Sequence, residues 1–318
     1  MTIRNLFVLC VISALLLVPR CLHAQQFQPH TPATPAAVAP VLTTGKIPLI
    51  EKQVTEVSLV LSVTDHKGHF VQGLKSQDFS IFDDSKPQTS ITFFQSQTDL
   101  PLDVALLLDT SGSMTSRLEA EQWTIGCFLR EVIRHDDSVT LFTFNDGVRD
   151  IVPIRYNWRQ ISRGLRKVKP GGETALFDAI TVAAEHLEQN PRPARRLIIV
   201  LSDGEENASK MNLNNTISEL LKDETTVFAV NDGDDTDSAA GQAGETTLKS
   251  LATASGGAYS RASFSGDVGS AFGKIRKELR SQYAIAFKPS DYSHHGFHYL
   301  EVLAGKLHVH VRSGYYAR

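Results

Sequence analysis

Hydrophobic and polar positions divide the chain into three textures. From Val54 they approach strict alternation: Val54, Val57, Leu59, Leu61 and Val63 with polar neighbours, the turn Asp65-His66-Lys67-Gly68, then Phe70 and Val71. This predicts a β-hairpin. A second hairpin is predicted from Phe79 to Phe82 and Ser90 to Phe94, joined by a turn through Asp83-Asp84-Ser85-Lys86-Pro87. Beyond Pro101 short, wholly apolar strands alternate with amphipathic helices. The strands are Val104 to Leu108, Val139 to Phe144, Leu197 to Leu201 and Val227 to Val230. The helices are Arg117 to Arg134, Trp158 to Val168, Ala175 to Gln189, Leu213 to Lys222, Thr246 to Ala254 and Val268 to Leu279. After Ser281 alternation returns at Tyr283, Ile285 and Phe287, then Tyr299, Val302 and Leu303, then Leu307 to Arg312.

Continuous apolar strands alternating with helices imply an α/β fold, a doubly wound, mostly parallel sheet with helices on both faces. The β unit at 51–100 is too short to bury a core alone, because isolated hairpins are marginal in water. It is therefore expected to meet the C-terminal strands at 282–318 in a small β-sandwich, with the α/β domain at 101–281 inserted between them.

The start of the chain has another character. Arg4, the apolar run Leu6 to Val18 and the small Ala24 after Leu22-His23 read as an export signal at 1–24. The run falls short of the ~20 residues that span a bilayer. Cys21 lacks the small preceding residues of a lipidation site. Residues 25–50, rich in Pro, Ala and Thr, read as an extended linker. The expected location is periplasmic, cell-surface or secreted, with membrane contact only during export.

Among 318 residues the formal charge is −3, and the short basic clusters at Arg163 to Lys169 and Arg192 to Arg196 have no interleaved aromatics. No nucleic-acid partner is expected. Of three cysteines, Cys10 and Cys21 leave with the signal. Cys127 then has no internal disulfide partner and reads as a small buried hydrophobe.

Ligands of an open α/β sheet bind beyond the carboxyl ends of its strands. Val104 to Leu108 runs into Asp109-Thr110-Ser111-Gly112-Ser113, and Leu197 to Leu201 into Ser202-Asp203-Gly204. Gly171-Gly172-Glu173-Thr174 precedes a helix, so Thr174 can face the same crevice. Asp109, Ser111, Ser113, Thr174 and Asp203 supply two carboxylates and three hydroxyls. Such a set suits Mg²⁺, Mn²⁺ or Ca²⁺ and is poor for zinc, which wants His or Cys. Alternate residues of Asp109-x-Ser111-x-Ser113 can point at one ion, with Gly112 letting the loop turn tightly. Few formal charges leave such an ion electron-poor, with a position open to an external carboxylate.

These three segments resemble the metal-ion-dependent adhesion site of von Willebrand factor A domains, and the resemblance spans Pro101 to about Ser281. It implies that Ser111 and Ser113 are direct hydroxyl ligands, that Thr174 engages when a partner is taken up, and that Asp109 and Asp203 bind directly or through water. Val63-Thr64-Asp65 with Gly68, Gly73-Leu74, Asp78-Phe79 and Arg312-Ser313-Gly314-Tyr315-Tyr316-Ala317 resemble bacterial exported VWFA-related domain proteins of the acidobacterial type. The function implied is a metal-dependent adhesion or interaction module whose partner is a protein with an exposed Asp or Glu. The alternatives are an envelope module in which the metal only stabilises loops and, behind it, a metal-dependent hydrolase.

An enzyme is not expected. A nucleophilic-Asp phosphoryl transferase needs a second carboxylate where Ser111 stands, and no Gly-x-Ser-x-Gly elbow or Gly-x-Gly-x-x-Gly loop is present. His294, His295 and His298 with His308 and His310, the last two on one strand face, could make a second metal site, but nothing acidic is spaced to complete a shell, and a solvated loop and exposed strand face are expected. Asp232, Asp234, Asp235 and Asp237 lack the Glu of a calcium loop and read as a solvated loop. Glu205 and Glu206 are expected to make an exposed acidic rim that favours cation uptake.

Overall fold

The computed structural model describes residues 56–96, 100–115, 124–126, 128–129, 132–154, 163–164, 167–233, 237–262, 265–291 and 295–317. The export segment, the linker, Cys127, His294 and most of the expected helix from Trp158 to Val168 lie outside them. Among the described residues no helix is long and apolar enough to cross a membrane.

In chain order the elements are β1 (Val57–Thr64), β2 (Ser80–Asp83), β3 (Lys86–Gln88), β4 (Ile91–Ser96), β5 (Leu102–Asp109), β6 (Ser138–Phe144) and β7 (Val148–Ile154). There follow α1 (Leu176–Glu188), β8 (Arg195–Leu201), α2 (Leu213–Lys222), β9 (Thr226–Asn231), α3 (Ala239–Ser255), β10 (Tyr259–Arg261) and α4 (Ser265–Leu279). The chain closes with β11 (Tyr283–Phe287), β12 (Gly296–Leu303), β13 (His308–His310) and β14 (Gly314–Ala317). Residues 124–126, 128–129 and 132 are helical as well.

The central sheet has the order β10-β9-β8-β5-β6-β7. Every pair is parallel except β6 with the edge strand β7. All residues of β5 are buried, which is why its sequence is a continuous apolar run. Its side chains go alternately to the two faces. Val104, Leu106 and Leu108 join one core with Phe128, Phe272 and Ile275, whereas Ala105 and Leu107 join the other with Ile180, Leu220 and Leu248. Strand β8 divides in the same way, Leu197, Ile199 and Leu201 against Ile198 and Val200. Each such fully buried aliphatic side chain contributes roughly 1.5–3 kcal/mol. The doubly wound arrangement follows, with helices on both faces.

The flanking strands form two antiparallel sheets, β13-β1-β11-β4 and β14-β12-β2-β3. They share one core: Val57, Leu59, Leu61 and Val63 of β1 meet Ile81, Tyr283, Ile285, Phe287, Leu300 and Val302. N-terminal and C-terminal segments thus complete each other, as the shortness of each alone requires.

Several local expectations change. The first hairpin shrinks to a single bridge, Thr64 to Phe70, because β1 spends its edges on β11 and β13. The second hairpin is not Phe79–Phe82 against Ser90–Phe94. Strand β2 turns back at Asp84 and Ser85 to pair with β3, while β4 crosses to β11 in the other sheet. Pro87 is tolerated because β3 is an edge strand. Strands β7 and β10 and the first turns of α3 were not apparent from the pattern. The last turn of α3 ends at Gly256, whose φ of 81° is left-handed and whose missing Cβ leaves room for the Arg312 backbone.

Candidate metal centre

Strand β5 ends at Asp109, and the chain then passes through extended Ser111 into a short 3-10 turn, Gly112–Met114. Strand β8 ends one residue before Ser202, and Thr174 lies just ahead of α1. All three segments therefore sit at the carboxyl edge of the parallel sheet, as expected for a ligand crevice.

Hydrogen bonds tie the segments together pairwise. Gly112 N–H donates to the Gly172 carbonyl at 3.2 Å, and Gly171 N–H to the Thr110 carbonyl at 2.8 Å. Thr174 N–H donates to Asn207 Oδ1 at 2.8 Å, and the Thr174 carbonyl accepts from Asn207 and Ala208 N–H at 3.0 and 3.2 Å. The Ser202 hydroxyl donates to Asp109 Oδ2 at 2.6 Å and accepts from Gly204 N–H at 3.0 Å. Asp109, Ser111, Ser113, Thr174 and Asp203 are thereby held around one end of the sheet.

Asp109 is fully buried, and its Oδ1 accepts from Ser111 N–H at 2.8 Å. Burial pushes its carboxyl up to about 7, against the lowering effect of Ser202 and Ser111. The nearby Asp203 charge raises it further. A cation beside these carboxylates would relieve both the desolvation and the mutual repulsion. The hydroxyls are compatible with one. Ser111 Oγ lies 3.2 Å from Ser113 Oγ and makes no helix-capping bond, so Ser111 is not simply a cap. Among the described residues the Thr174 hydroxyl makes no hydrogen bond, although Thr174 is buried. Asp203 is half-buried, with Oδ1 accepting from Glu205 N–H at 3.0 Å. The donors are all oxygen, which fits a hard divalent cation.

Glycine matters here at positions other than the expected Gly112, which has no positive φ and meets only the Gly172 carbonyl, at 3.8 Å. Gly172 has φ 92°, and Gly204 has φ 81° with space for a Cβ filled by the Gly244 carbonyl at 2.4 Å. Gly204 thus lets the Asp203 loop lie directly on α3.

The expected exposed acidic rim is not found: Glu205 and Glu206 are both half-buried. The Glu206 carboxylate accepts from Phe177 N–H at 3.0 Å and from Ala208 N–H, Ser209 N–H and Ser209 Oγ at 3.2, 2.8 and 2.7 Å. It caps α1, whose own cap residue, Ala175, has no side chain able to do so. Asp178 likewise accepts from Met211 N–H at 2.9 Å. Ser202, Glu206 and Asn207 are the supporting residues that sequence spacing did not assign.

Residues 104–206 match the family model of the von Willebrand factor type A domain. Over these residues the chain is similar to the von Willebrand factor type A domain. A von Willebrand factor type A structure from Catenulispora acidiphila is similar in fold, with TM-score 0.50 and 11% identity over 75% of this chain and 75% of that one. The conserved hypothetical protein BatB from Bacteroides thetaiotaomicron is 20% identical, with TM-score 0.44 over 57% of this chain and 100% of its own. Proximal thread matrix protein 1 from the mussel byssus, with a zinc-occupied MIDAS motif, is 18% identical with TM-score 0.48, over 62% of this chain and 50% of that one. No curated protein matches the chain.

The expected solvated loops differ as well. Asp232 and Gly233 are buried beside the Asp203 segment, while residues 234–236 lie outside the described residues. His308 and His295 are exposed and His310 is half-buried, but His298 is buried among acidic residues that the sequence does not place near it.

Proposed function

We propose that the von Willebrand factor type A domain holds Mg²⁺, or Mn²⁺ or Ca²⁺, at Asp109, Ser111, Ser113, Thr174 and Asp203. On this reading the chain is an exported interaction module. Its protein partner presents an aspartate or glutamate to the cation. The observation that carries the reading is the composition of the crevice: two carboxylates, one buried and raised toward neutrality, beside three hydroxyls that are not committed to helix caps. Neutral hydroxyls support a cation without quenching its charge, so an outside carboxylate remains an attractive further ligand. Export is supported by Arg4 and the apolar run Leu6 to Val18 ahead of Ala24. The place of action is then the periplasm, the cell surface or the medium.

The test is calorimetry followed by capture. Mg²⁺ should bind the wild type with one-to-one stoichiometry, and Asp109→Ala should lose that binding. Capture of an aspartate-bearing peptide library should need Mg²⁺ and fail for Ser113→Ala while the fold, followed by circular dichroism, persists. Metal binding without any metal-dependent carboxylate capture would leave only a loop-stabilising cation and overturn the partner reading.

A further inference from the structure

The β-sandwich contains a second group of metal-competent side chains, more than two hundred residues apart in sequence. Asp83 ends β2, and Asp84 opens the tight turn to β3, with φ 47° at Asp84 and 65° at Ser85. Strand β12 pairs with β2 and brings His298 beside them. His298 Nδ1 lies 3.1 Å from Asp83 Oδ1 and 3.0 Å from Asp84 Oδ2. Asp83 and His298 are buried, whereas the Asp84 side chain is 36% exposed.

The remaining oxygen of each carboxylate is already held. Tyr315 OH donates to Asp83 Oδ2 at 2.9 Å, and Tyr299 N–H donates to Asp84 Oδ1 at 2.9 Å. The imidazole is oriented by stacking on Tyr315, with ring centroids 5.0 Å apart and planes inclined by 17°. Two carboxylate oxygens and one imidazole nitrogen therefore converge from fixed directions, all within 4.8 Å of one another.

We propose that Asp83, Asp84 and His298 form a second divalent-cation site, separate from the crevice of the von Willebrand factor type A domain and suited to zinc. One Nδ1 carries at most one proton, so without a cation two carboxylate oxygens share a single N–H. A divalent ion in that position meets all three ligand atoms. Ligand atoms about 2.0–2.1 Å from a zinc ion stand roughly 3 Å or slightly more from one another, close to the 3.1 and 3.0 Å from Nδ1 to the two carboxylate oxygens. Imidazole selects zinc and related transition metals over Mg²⁺, the reverse of the all-oxygen crevice. Tyr315 and Tyr299 N–H play the outer role that metal ligands require, fixing the carboxylates from behind. The exposed side of Asp84 leaves a fourth position for water.

Such an ion would act as a clasp. Asp83 and His298 are separated by 215 positions, so it would join the N-terminal β unit to the C-terminal strands and close a loop that contains the whole α/β domain. Clips that close long loops restrict the unfolded chain most, and the bound ion would stabilise the sandwich by an amount that grows with the logarithm of its affinity.

The test uses the full chain in excess Mg²⁺, which fills the all-oxygen crevice. Titration with Co²⁺, followed by its visible absorption, and then displacement by Zn²⁺ should show one saturable equivalent and a raised Tm. Asp84→Asn, at an exposed position where the amide can still accept from Tyr299 N–H, should weaken zinc binding at least tenfold. His298→Gln should abolish it, and His295→Ala should leave it unchanged. Absence of a saturable equivalent, or undiminished affinity in Asp84→Asn, overturns the proposal. So does loss of that equivalent in Asp109→Ala together with its retention in Asp84→Asn, which would place the zinc in the crevice.

Discussion

The hydroxyl of Ser202 donates to Oδ2 of Asp109 across 2.6 Å, linking the loops that follow β8 and β5 at the point where two carboxylates approach each other. Both residues are fully buried, so the bond has no competition from water. It lowers the cost of keeping Asp109 ionised and fixes the direction of its carboxylate. Ser202→Ala removes that support without touching a proposed ligand. Outer hydrogen bonds of this kind are typically worth 10–100-fold in metal affinity. The expected outcome is a rise of about that size in the Mg²⁺ Kd by calorimetry, with the secondary structure retained. Unchanged Mg²⁺ affinity would separate Asp109 from the metal.

Glu206 supplies a different kind of support. It satisfies the N–H of Phe177 in the first turn of α1 and three donors of its own loop, a task Ala175 cannot perform. Glu206→Ala should cost on the order of 2 kcal/mol, the upper range for a lost helix cap. Denaturant unfolding measures this. A loss below a few tenths of a kcal/mol would mean that Glu206 belongs to the solvated rim after all.

How far these residues could be read from the sequence depends on distance along the chain. Asp109, Ser111, Ser113 and Asp203 directly follow apolar runs that can only be central strands, so their common edge was legible from periodicity and topology. Glu206 looks like a rim charge in the sequence because nothing local reveals that α1 lacks a cap of its own and borrows one from 29 residues away. His298 looks solvated in the sequence because its acidic neighbours arrive only through strand pairing with β2. Strand β7 was missed because Arg149, Asp150 and Pro153 interrupt its apolar character, which an antiparallel edge strand tolerates and a central one does not.

Gly204 is a position where backbone and packing make the same demand. Its φ is 81°, and an added methyl would meet the Gly244 carbonyl of α3 at 2.4 Å. Neither strain nor clash can be relieved cheaply, since the obstacle is backbone. Gly204→Ala should destabilise by about 3 kcal/mol or more, adding left-handed strain to overpacking. It should also displace Asp203 and weaken Mg²⁺ binding. A thermal melt indistinguishable from wild type would show that α3 can withdraw from the loop at little cost.

Glu278 of α4 gives the fold a dependence on pH. It is 4% exposed, and its main polar contact is the Ser62 hydroxyl of β1, which donates to Oε1 at 2.7 Å. Burial pushes its carboxyl up to about 7 from the ordinary 4.5, and the Ser62 bond offsets only part of that. A raised folded-state value means that the folded chain holds this proton more tightly than the unfolded chain. Its contribution to stability is therefore fully present below pH 4.5 and is lost as pH rises through 7. At 1.36 kcal/mol per pH unit the shift from 4.5 to about 7 sets an upper limit of roughly 3.4 kcal/mol on the loss. Glu278→Gln keeps an oxygen for Ser62 and removes the ionisation, so it should flatten this part of the profile and raise stability most at pH 8. Urea unfolding at intervals between pH 5 and 8 measures both curves. Parallel profiles for wild type and variant would assign the pH dependence to other groups.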